Sequence, residues 1–180
     1  MISLLFRRPA QDSIFAALYG TIVAQARSPS FYRDYGVPDT VSGRLDMIVL
    51  HLVLLLFRLK QLPSSTQLVG QEIFNLFCRD IDHNFREMGV GDLAVPREMR
   101  RVGEAFYGRA ASYETALMAD DMVLAQALER NVYGGSSIHA LRLSAYVREA
   151  MRTLATQIDF EHGALRFPDP ETIEEFGEKV

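Results

Sequence analysis

A chain of 180 residues, 48% apolar and 23% charged, is long and apolar enough to bury its own core, which excludes a disordered tail or a membrane-embedded chain. The formal charge of −4 argues against a surface that neutralises many phosphates, so no nucleic-acid partner is expected. The acid lies late in the chain: residues 1–91 carry nine basic and eight acidic side chains, residues 92–180 ten and fifteen. Cys78 is the single cysteine, which excludes an internal disulfide, a paired-cysteine redox motif and a cysteine-rich zinc site, and suits a reducing cytoplasm.

At the N-terminus, Leu4, Leu5 and Phe6 precede Arg7 and Arg8. The apolar run is too short for a signal-peptide core and the arginines lie on its wrong side. It reads either as a frayed start or as a tip for weak contact with an anionic inner-membrane surface. Asp12 or Ser13 then caps a first helix whose Ile14, Leu18, Ile22 and Ala26 recur every fourth residue. Ser28-Pro29 stops it, and residues 31–38 read as a connector.

Residues 47–57 form the most apolar stretch, interrupted only by His51. A bilayer span needs about 20 such residues, so this predicts a core helix. After Pro63, a third helix carries Leu68, Val69, Ile73, Phe74, Phe77, Ile81, Phe85 and Met88, with a stop at Gly89-Val90-Gly91. Pro96 opens a fourth helix with Met99, Val102, Phe106 and Tyr107 facing inward and a break near Gly108. A fifth runs from Glu114 towards Tyr133, and Gly134-Gly135 interrupts the chain. Ile138, Leu141, Ala145 and Met151 begin the inward face of a sixth, and Asp169-Pro170-Glu171 opens a short last one. The expectation is an all-α, single-domain bundle of six or seven helices, with a short acidic tail over residues 168–180.

Motifs for chemistry are sparse. There is no nucleophile elbow, no paired-histidine zinc motif and no glycine-rich phosphate loop. Asp80, Asp82 and Asn84 have the spacing of the first three ligands of a calcium loop, but Phe85 stands where that loop needs glycine and Gly91 where it needs glutamate. Neither a metal nor a cofactor is expected. His51 on its apolar helix predicts a buried, hydrogen-bonded imidazole, and Cys78 a small core residue. Arg79, Asp82, His83, Arg86 and Glu87 stand three or four apart, which reads as a solvated charge ladder or as a polar recognition strip. Two alternatives remain open on these residues: an enzyme of unknown reaction using Asp80, Asp82 and His83, and a helical DNA-binding regulator, which the acidic balance disfavours.

Three stretches, in order, carry a resemblance. They are Tyr35-Gly36-Val37-Pro38-Asp39-Thr40 followed by Gly43-Arg44-Leu45-Asp46-Met47; FCRDIDHNFREMGVGD at residues 77–92; and Ala105-Phe106-Tyr107-Gly108-Arg109. Together the chain resembles the ubiquinol-cytochrome c chaperone family over about residues 10–160. That resemblance implies a soluble, non-enzymatic helical factor that binds newly made cytochrome b and assists biogenesis of the cytochrome bc1 complex. It also implies association with the inner membrane. Mitochondrial members carry targeting extensions and work near the ribosome with a second assembly factor. Without such an extension, this sequence looks like a bacterial, cytoplasmic form, peripheral on the cytoplasmic face of the membrane; a ribosome or second factor stays open. The client surface expected from the matched stretches comprises Tyr35, Asp39, Arg44 and Asp46 on one side and Asp80, Asp82, Arg86, Glu87 and Asp92 on the other, completed by Tyr107 and Arg109.

Overall fold

The apolar run around His51 becomes the middle of α3 (Val41–Lys60), and twelve of that helix's twenty residues are buried. Such all-round burial is the mark of a central core helix. The computed structural model describes residues 9–63 and 66–173, so the expected bilayer contact at Leu4, Leu5, Phe6, Arg7 and Arg8, and most of the acidic tail, lie outside it. Around α3 stand α1 (Pro9–Ala26), α4 (Gln67–Glu87), α5 (Val95–Leu117) and α7 (Ala140–Ala155). The short α2 (Pro29–Arg33) and α6 (Asp121–Leu128) complete the seven α-helices of the described residues. None is long and apolar enough to cross a membrane.

Each helix contributes to one buried cluster that includes Leu18, Ile22, Phe31, Leu50, Leu54, Ile73, Phe77, Phe106, Leu128 and Val147. Thr40 begins α3 by accepting a hydrogen bond from the Gly43 amide at 3.0 Å. At that turn a Cβ on Gly43 would sit 2.0 Å from the Pro38 carbonyl oxygen, so only glycine fits. The predicted stop of α4 is present: Gly89 takes a φ of +82°, and the Val90 amide reaches back to the Phe85 carbonyl at 3.0 Å.

Several expectations are corrected. α1 starts at Pro9, which needs no amide partner there, so Asp12 falls in the first turn rather than at a cap. Residues 31–38 are not wholly a connector, because Pro29 nucleates α2 and delivers Phe31 into the core. No break occurs at Gly108. α5 continues through it to Leu117, since the packing of Phe106, Tyr113 and Ala116 outweighs the roughly 1 kcal/mol that a helical glycine costs. The chain breaks instead after Met118, where the Asp120 side chain accepts from the Val123 amide at 2.9 Å and opens α6. Residues Glu129–Tyr133 then form a turn of π-helix ending in Gly134.

Facing errors follow from those boundaries. Tyr107 points outward and is 65% exposed, and Leu68 on α4 and Met88 just after it are exposed as well. Ile138 and Leu141 are exposed too: α7 starts at Ala140, and its inward face is Leu143, Tyr146, Val147, Ala150 and Leu154. The predicted last helix is a single 3-10 turn, Pro170–Thr172, capped by Asp169.

The buried polar groups form a relay. Gln25 donates to the Tyr146 hydroxyl at 3.0 Å, and that hydroxyl donates to Nε2 of His51 at 2.8 Å. Nδ1–H of His51 donates to the Met47 carbonyl at 2.8 Å, which sets the tautomer because a carbonyl only accepts. Gln25 also donates to the Pro168 carbonyl and Tyr35 to the Pro170 carbonyl, tying the C-terminal strap to the bundle.

Candidate functional site

The residues expected to form a client surface fall into three groups. Tyr35 belongs to the core: it is fully buried, its hydroxyl is bound to Pro170 and its carbonyl accepts from Tyr133 at 2.8 Å. Its ring lies under the Arg142 guanidinium at 4.6 Å. Its place in the matched stretch is therefore explained by packing, and its ring presents nothing to a partner.

A second group gathers at the start of α3. Asp39 and Arg44 pair at 2.7 Å on the surface, and Arg44 lies over the Tyr32 ring at 5.4 Å. This pairing holds the Asp39 carboxyl below its usual range. One turn further on, Asp46 is buried and pairs with Arg109 of α5 at 2.7 Å. Burial raises the Asp46 carboxyl, against the opposing pull of Arg109. The matched stretches thus meet where α3 crosses α5.

The third group is the end of α4. Arg86 bridges Asp82 at 2.8 Å and Asp92 at 2.6 Å, closing the helix end onto the following loop. His83 pairs with Glu87 at 3.1 Å. Asp80 accepts from the Tyr19 hydroxyl at 2.8 Å and from Asn84, so it ties α1 to α4. Apart from Tyr19, these partners are all local. Asp80, Asp82 and His83 do not converge on one point, and among the described residues no three histidine, cysteine or acidic side chains are placed to hold a metal ion.

Sequence reasoning missed an apolar groove of about 340 Å³ between α3, α4 and α5. Leu56, Val53 and Leu59 form its floor, Gly70 and Phe74 one wall, and Phe106, Tyr107 and Ala110 the other. The rings pack against one another at tilted angles, with the Phe74 centroid 4.9 Å from that of Phe106 and 6.1 Å from that of Tyr107. Lys60 and Glu114 close one end through a 2.5 Å ion pair, and Gln67 and Gln71 line the edge. Gly70 keeps α4 close, since a Cβ there would lie 3.1 Å from Leu56. An apolar floor with a polar rim suits reversible cover for an apolar segment. A signal for it was available: residues 67, 70, 71 and 74, and 106, 107, 110 and 114, each follow one helical face, and Gly70 interrupts an otherwise bulky stripe.

A family model described as Ubiquinol-cytochrome C chaperone matches residues 33–165. Ubiquinol-cytochrome-c reductase complex assembly factor 1 of Xenopus laevis is 25% identical over 142 residues, covering 77% of this chain and 71% of that protein. Its human counterpart is 26% identical over 140 residues, covering 76% of this chain and 47% of that protein, so the chain spans about half the human length. The crystal structure of the Cbp3 homolog from Brucella abortus superposes with a TM-score of 0.86 and 38% identity, covering 97% of this chain and all of that one.

Proposed function

Because the chain belongs to the ubiquinol-cytochrome c chaperone family, we propose that it assists assembly of the cytochrome bc1 complex by holding newly made cytochrome b in the groove between α3, α4 and α5. The reading is supported above all by the family match over most of the chain together with that apolar groove. The role is one of binding, not catalysis. A membrane-protein client exposes apolar helix faces before its partners arrive, and a groove floored by Leu56 and flanked by Phe74 and Tyr107 offers them modest, releasable cover. Arg109 and Asp46 fix the crossing of α3 and α5 that shapes this wall. The surface at Asp39 and Arg44 and the strip of Asp80, Asp82, Arg86, Glu87 and Asp92 are proposed as flanking contacts, at the cytoplasmic face of the inner membrane.

The test is a deletion strain scored for assembled bc1 complex by b-type haem spectra and ubiquinol–cytochrome c reductase activity. Loss of both, restored by the intact gene, is expected, and an unchanged content would sink the proposal. A photo-crosslinking residue in place of Tyr107 is expected to capture cytochrome b in growing cells.

A further inference from the structure

The turn between α4 and α5 holds apolar side chains out in solvent. Leu93 at its tip is fully exposed, Met88 at its start is 61% exposed, and Val90 between them is half-buried. The turn is ordered by its own hydrogen bonds. Gly89 takes a φ of +82°, and the Ala94 and Val95 amides both donate to the Gly91 carbonyl, at 2.7 and 3.2 Å. Val95 is buried and anchors the start of α5, so Leu93 two residues before it is fixed outside the core. A single exposed leucine needs no explanation, but three apolar residues within six positions of one ordered turn do. Charge accompanies them. Leu93, Arg97, Arg100 and Arg101 stand at spacings of four, seven and eight, which places them on one helical face. Arg97 and Arg101 share the single carboxylate of Glu98, at 3.2 and 3.1 Å, and Arg100 pairs with no acidic side chain among the described residues. Two positive charges are therefore in excess beside the tip. The acids that precede it are each already bound, Asp82 and Asp92 by Arg86 and Glu87 by His83.

We propose that this turn docks on an anionic lipid surface, with Leu93 and Met88 entering the headgroup boundary and Arg97, Arg100 and Arg101 against the lipid phosphates. One apolar or one basic signal gives only marginal attachment, whereas the two together hold a protein reversibly on a membrane. The shape favours lipid over a protein partner. Protein interfaces seat their anchors in well-packed pockets near a centre, while a protruding leucine backed by a row of long arginines suits a deformable, uniformly negative surface. The same face of α5 continues to Tyr107, seven residues past Arg100, so a wall of the groove stands about 20 Å from the tip at 1.5 Å per residue. That sets the groove within reach of an apolar segment leaving the bilayer. The tip thus supplies the lipid-facing surface for the membrane placement proposed above; it rests on that placement and not on the identity of the client.

The test is flotation of the purified full chain with vesicles of phosphatidylglycerol and phosphatidylcholine in equal parts, against vesicles of phosphatidylcholine alone. Saturable binding to the anionic vesicles only, reversed by high salt, is expected. Leu93→Ser should weaken it roughly tenfold and Arg100→Gln roughly fivefold, while Leu5→Ser combined with Phe6→Ser should leave it nearly unchanged. Leu93 is fully exposed and Arg100 is exposed and unpaired, so both variants are expected to keep the circular dichroism and melting of the parent. Equal binding to both kinds of vesicle, binding to neither, or unchanged binding in both variants would each overturn the proposal. So would release by the Leu5 and Phe6 substitutions alone, because the anchor is then the N-terminal segment. In that case, and where both variants bind like the parent, the chain still binds lipid, so the membrane placement stands while this surface is dismissed. The readout involves no bc1 complex, so its failure leaves the assembly role standing.

Discussion

Both ring nitrogens of His51 are engaged inside the core, and burial lowers its pKa from 6.5 to about 4. The folded chain therefore keeps this imidazole neutral where the unfolded chain protonates it. Stability from this group is complete above the unfolded pKa of about 6.5, declines as pH falls, and is fully lost near pH 4, a change of about 3 kcal/mol. Urea unfolding at pH 7 and pH 4.5 checks this: His51→Gln, which cannot titrate, should show a flatter dependence than the parent across that interval. Gly43 offers a test of a different kind. A methyl group there meets the Pro38 carbonyl oxygen at 2.0 Å, so Gly43→Ala must push the chain off the start of α3. Thermal melting should show a loss exceeding the roughly 1 kcal/mol expected for Thr40→Ala, which removes only the cap.

Among the elements, α5 separates intrinsic preference from tertiary context. Gly108 lies mid-helix with nothing within 4 Å of the place a Cβ would occupy. Gly108→Ala should therefore stabilise the chain by roughly 0.5–1 kcal/mol, measured by denaturant unfolding, and a loss would mean that a local bend matters there. The same residue shows why helix boundaries were less legible than helices. α1, α3 and α4 could be read because Leu18, Ile22, Leu50, Leu54, Ile73 and Phe77 keep strict helical phase over several turns. Around Gly108 and Ile138 the signals were single residues, and packing decided against them: α5 carries on past Gly108, and α7 turns Leu143 and Val147 inward, leaving Ile138 outside. The charged residues of the matched stretches could be listed but not placed. Asp46 and Arg109 meet only because α3 crosses α5, a relation between residues 63 positions apart that helical periodicity does not encode.

At the scale of the whole molecule, the core and the proposed client groove are built from the same three helices. α3 and α4 bury Leu50 and Ile73 in the common core, Phe106 of α5 serves both the core and the groove wall, and Leu56, Phe74 and Tyr107 line the groove. A substitution that fills the groove without entering the core should therefore disable the chaperone and leave it folded. Ala110 is suited to this, because it forms part of the α5 wall and is only partly buried. Ala110→Leu adds three carbon atoms facing Phe74 and Leu56 across open space, so unfolding free energy should stay within about 1 kcal/mol of the parent. Capture of cytochrome b through a crosslinker at position 107 should fall sharply, and bc1 content should follow it. If the variant folds normally and still captures cytochrome b at the parental level, the client lies elsewhere. The charged strip at the end of α4, with Arg86 between Asp82 and Asp92, is then the next surface to block.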